Sequence, residues 1–96
     1  MASIRNLKKD IDFLTNEVIS DSFLAIEFHG EKVEEKIQEL LEELVTFHNS
    51  LHEKIHNAPS GKKNTERKKY FRAIQKEINE QFPIFFEKLS QIIANK

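Results

Sequence analysis

Three of the chain's four histidines, His48, His52 and His56, recur at every fourth position. On an α-helix, residues four apart share a face, and two imidazoles at that spacing can bind one ion such as zinc, nickel or copper. Three of them over two turns span about 12 Å, too far for all to reach one ion, so at most one pair binds together. The missing ligands of such a site would come from neighbouring helices. No His-Glu-x-x-His motif places a catalytic glutamate beside the pair. Nearby lysines and arginines also disfavour a divalent cation. A structural role fits the row better. His48 lies within about 45° of the apolar seam of its helix, while His52 and His56 rotate progressively toward solvent. Rings in such a boundary row cover apolar surface while their nitrogens meet water. His48, His52 and His56 are therefore weak metal candidates, no metal or other cofactor is expected, and His29, just before Gly30, reads as a helix-end residue.

Other chemistries find less support. The chain has no cysteine, which excludes disulfides and thiolate metal sites. Ser60 to Thr65, SGKKNT, lacks the first glycine of a phosphate loop, since His56 stands there and no strand precedes it. No serine occupies a nucleophile elbow, and no carboxylate can be assigned to any histidine from sequence alone. The expectation is a protein without catalytic residues.

The charge distribution is more pointed than the net charge of -1. From Lys62 to Lys76 the chain carries Lys62, Lys63, Arg67, Lys68, Lys69, Arg72 and Lys76 against one acid, Glu66. Cations at a helix N-terminus oppose the helix dipole, at a cost of a few tenths to about 1 kcal/mol each. A segment that breaks a local rule without evident compensation is a candidate for function. Lys62, Lys63, Arg67, Lys68, Lys69 and Arg72 thus form a candidate anion or nucleic-acid site, with Tyr70 the one aromatic beside it off the seam. The plainer alternative is a solvated surface next to a loop.

The elements that would position these groups follow from periodicity. Ile4, Leu7, Ile11, Leu14 and Val18 step by three and four, the seam of a helix packed lengthwise, with Ser3 as its cap. Val33, Ile37, Leu40, Leu44, Phe47, Leu51 and Ile55 form a second seam, and Phe71, Ile74, Ile78, Phe82, Phe85, Leu89 and Ile92 a third. Asn57 to Asn64 is the one clear loop. A turn at His29 and Gly30 gives helices of about 26, 26 and 30 residues, each around 40 Å long, that can cover one another along their lengths. Gly30 is then expected in the left-handed conformation after the first helix. Pro83 lies in phase within the third seam, which predicts a kink there, a separate short fourth helix being the alternative. The fold class is all-α, an antiparallel up-down-up three-helix bundle in a single domain over residues 1–96.

That topology gathers Arg5, Lys8, Lys9, Lys54, the three histidines and the basic segment at one end. Glu27, Glu31, Glu34, Glu35 and Glu87 collect at the other. Apolar residues exceed what the seams need: Phe23, Leu24, Phe28, Leu41 and Val45 are the interface candidates, with Ile84, Phe86 and Ile93 beside them. Such a surplus points to protein–protein interaction and to a homodimer in particular, another protein or nucleic acid being the alternative partner. The chain shows no stretch near the roughly 20 apolar residues that span a bilayer and opens without a signal-peptide pattern, so the expected location is cytoplasmic and no membrane partner is expected.

Overall fold

A computed structural model describes residues 4–58 and 64–95. It contains α1, Ile4–His29; α2, Glu31–His56; and α3, Asn64–Ala94, each packed against the other two. This is the up-down-up three-helix bundle that the three seams require. Seam residues make the core: Leu7, Ile11 and Val18 from α1, Val33, Ile37, Leu44 and Leu51 from α2, and Ile74, Ile78, Phe82, Phe85 and Leu89 from α3 are buried. The three rings Phe47, Phe82 and Phe85 meet at mid-bundle, with Phe47 to Phe82 edge-on at 5.4 Å and Phe47 to Phe85 at 5.6 Å. Ser3, as a cap of α1, and Pro59 to Lys63 lie outside the described residues.

The α1–α2 connection is one residue long, and this changes the expected conformation of Gly30. Its φ is +67°, the positive sign expected, but its ψ of -147° is not the left-handed helical value. The physical reason is its double duty. The Gly30 N–H closes α1 by donating to the Ile26 carbonyl at 2.7 Å, while its own carbonyl accepts the first bond of α2 from Val33 N–H at 3.3 Å. A residue capping a helix start needs an extended ψ. Only glycine combines that with positive φ at little strain.

At the other connection, α2 ends with its carbonyls satisfied in turn. Asn57 N–H donates to Glu53 O at 2.9 Å and Ala58 N–H to Ile55 O at 3.2 Å. The Tyr70 hydroxyl, from the second turn of α3, donates to Lys54 O at 2.6 Å. A helix end leaves its last carbonyls without intrahelical donors, and Tyr70 meets that need across the bundle. Downstream, α3 runs unbroken through Pro83, so the alternative of a separate fourth helix does not form. An interior proline costs about 3 kcal/mol. Here Phe82 and Phe85 bury on either side of it, and the carbonyl deprived of a donor, at Asn79, belongs to an exposed residue.

One buried polar atom lacks a partner among the described residues, Oγ1 of Thr15. Ser22, the other buried hydroxyl, donates to Val18 O at 2.7 Å. An unsatisfied buried hydroxyl costs roughly 1–3 kcal/mol, and valine nearly matches threonine in shape. Thr15→Val is therefore expected to raise the melting temperature by about 4–8 °C, the equivalent of about 1 kcal/mol in a domain this size. Thermal unfolding followed by circular dichroism measures it, and an unchanged or lowered midpoint contradicts the assignment.

Candidate functional site: a histidine–aspartate cluster and an apolar face

The bundle brings a carboxylate to the histidine pair. Asp12, on α1, sits opposite the last two turns of α2 because the antiparallel hairpin pairs the early part of α1 with the late part of α2. Its Oδ1 lies 2.9 Å from His48 Nε2 and 3.0 Å from His52 Nε2. The two rings stand 4.5 Å apart between centroids, and His48 Nδ1 lies 3.3 Å from Asn49 Oδ1. Asp12 is half-exposed at 54%, the histidine side chains less so at 28% and 30%. His56 is exposed and belongs to none of these contacts. The expected progression toward solvent thus fails at His52, which α1 shelters as well as it shelters His48. Nor are the histidines without a carboxylate. Asp12 is separated from them by 36 and 40 residues, and its position off the α1 seam, beside Ile11, is the only sequence trace of its role.

The carboxyl of Asp12 is held below the ordinary aspartate value of 3.8, foremost by the hydrogen bond with His48. Partial burial opposes that shift, and the His52 hydrogen bond and the charges of the two rings reinforce it. A carboxylate with a lowered folded-state pKa adds stability above its unfolded value of about 3.9 and loses it as pH falls through the folded value. Asp12→Asn is expected to cost less than about 1 kcal/mol near neutrality, because the pair is exposed to screening. That gap should narrow below about pH 4. Urea titrations of both proteins at about pH 6 and about pH 3 test the sign, and a gap that widens in acid contradicts it.

The basic segment is less assembled. Lys62 and Lys63 lie outside the described residues. Lys68, Lys69 and Arg72 are exposed, and Arg67 stacks on Phe71 at 5.5 Å from the ring centre. Lys54 does not add to a free positive tip, because Glu77 binds its Nζ at 2.7 Å. Tyr70 is tied to Lys54 O and edge-on to Phe71 at 5.9 Å, which takes away the one aromatic available for base stacking.

Of the interface candidates, Phe23, Leu24, Phe28 and Val45 are exposed, Phe28 most of all at 78%, whereas Leu41 is half-buried against the core. Leu24 and Phe28 share a shallow α1–α3 hollow with Phe86 and Ile93, rimmed by Asp21 and Ser90. Phe23 lies about 100° round α1 from Leu24 and so off that face. Phe13, exposed at 63%, extends the face, since it stands three turns before Leu24 on nearly the same line of the helix. Its off-seam position between Asp12 and Leu14 was the available signal. No helix among the described residues is long and apolar enough to cross a membrane. Comparison of the chain with protein-family models, with characterised proteins and with solved structures finds no match.

Proposed function

We propose that this protein is a noncatalytic helical interaction module whose first partner is a second copy of itself, docked through the face made by Leu24, Phe28, Phe86 and Ile93. The observation that carries this reading is the exposure of Phe28 and Leu24, 78% and 50%, in a hollow already floored by apolar side chains of α3. Large aromatic and aliphatic groups around a concave apolar centre with a polar rim resemble the core and edge of an interface.

Sedimentation across a dilution series provides the test. The wild-type chain should sediment as a dimer at micromolar concentration, and Phe28→Glu should sediment as a monomer with unchanged helical content, because Phe28 contributes little to the core. A wild-type chain that stays monomeric at high micromolar concentration overturns the reading. So does a dimer indifferent to the substitution.

A further inference from the structure

We propose that Asp12, His48 and His52 form a binding site for a divalent transition-metal ion of the zinc, nickel and copper class, which would clamp α1 to α2. The three side chains each offer one ligand atom, and these atoms all lie within 4.8 Å of one another. The two imidazoles come from adjacent turns of α2, and the carboxylate from the facing helix is the ligand that two histidines on one helix cannot supply for themselves. Two nitrogens and one oxygen with no thiolate suit Zn²⁺, Ni²⁺ or Cu²⁺ better than the hard cations Mg²⁺ and Ca²⁺, which take oxygen. Three protein ligands in a half-exposed site leave a fourth position to solvent, a recurrent zinc arrangement.

The fit is close. A tetrahedral ion with bonds of about 2.05 Å holds its ligand atoms about 3.3 Å apart. Oδ1 of Asp12 lies 2.9 and 3.0 Å from the two nitrogens, so it needs to withdraw by a few tenths of an ångström, which a half-exposed side chain can do. The hydrogen bonding points the same way. His48 Nδ1 lies 3.3 Å from Asn49 Oδ1. With Nε2 bound to an ion, Nδ1 carries the ring proton and can donate it to that oxygen. A hydrogen bond from the outer ring nitrogen to a neighbouring oxygen is also what metal-ligating histidines use to fix ring orientation. Positive charge does not crowd the site from Lys54, two residues past His52, because that ammonium is held by Glu77 of α3.

Isothermal titration of ZnCl₂ into tag-free, EDTA-treated full chain tests the proposal, with Asp12→Asn, His48→Gln and His52→Gln measured alongside and their folding checked by circular dichroism. One equivalent of Zn²⁺ per chain is expected for the wild type. Each substitution should weaken binding at least about tenfold, the lower bound known for losing even an outer-shell partner. Zn²⁺ should also raise the melting temperature of the wild type and leave that of the variants unmoved, as binding confined to the folded state requires. Absence of saturable binding overturns the proposal. Binding that survives Asp12→Asn overturns it equally, since it reduces the site to a histidine pair on one helix. The dimer is not a premise, and titration of the monomeric Phe28→Glu chain separates the two.

Discussion

Phe82→Ala is expected to cost about 3–5 kcal/mol, the range for emptying an aromatic site in a packed core. Phe82 is 1% exposed and is the largest of the fully buried side chains. It meets Phe47 of α2 at 5.4 Å and Phe85 at 6.4 Å, so its removal breaks one of the two aromatic contacts, Phe47–Phe82 and Phe47–Phe85, that join α2 to α3 at the middle of the bundle. The neighbours cannot collapse inward easily, because Phe85 is held by its own burial and Pro83 restricts the adjoining backbone. A domain of this length has a total stability of roughly 5–14 kcal/mol. The substitution therefore removes from about a fifth to all of that margin, and leaves a chain partly unfolded at 37 °C if the margin is at the low end. Urea unfolding followed at the helical band reads the effect. Phe23→Ala supplies the contrast: the same side chain, 60% exposed, should change stability by no more than about 0.5 kcal/mol. Similar losses at the two sites would contradict the packing described for α3.

Gly30→Ala is expected to cost about 1–3 kcal/mol although the new methyl group touches nothing. A Cβ built at Gly30 finds no atom within 4 Å, so no clash with other side chains enters. The cost is local and conformational: φ of +67° with ψ of -147° lies in a region that L-residues essentially never occupy. The chain has only this residue in which to leave one helix and enter the next, so it cannot relax by spreading the strain along a loop. D-alanine offers a decisive control through chemical synthesis, because its allowed region is the mirror image. It should be tolerated, and should stabilise by up to about 1 kcal/mol through the unfolded chain it restricts. If L- and D-alanine weaken the protein equally, the role assigned to positive φ is wrong.

The legibility of this fold in the sequence has a simple origin. Leu7, Ile11 and Val18, or Ile74, Ile78 and Phe82, recur at helical spacing, and spacing is a local property that any stretch of chain displays by itself. Element lengths follow from it nearly to the residue: 26, 26 and 31 observed. Gly30 marked the first reversal because glycine alone relieves the backbone there. Pro83 predicts a kink or a break, and α3 runs through it as a single helix from Asn64 to Ala94.

The sequence by itself thus determined three amphipathic rods, their reversals and the buried face of each. Tertiary packing decided which boundary residues meet: Asp12 with His48 and His52, Glu77 with Lys54, Tyr70 with the Lys54 carbonyl, and Leu24 and Phe28 with Phe86 and Ile93. A seam states that one face is covered and leaves open the rotation and axial offset at which the covering helix lies. Those are set by the fit of side-chain ridges into grooves between rods, a property of pairs of helices. The candidate site therefore lay half in view, as two imidazoles one turn apart on α2, with its third member on α1 brought into place only by the way the first two helices pack.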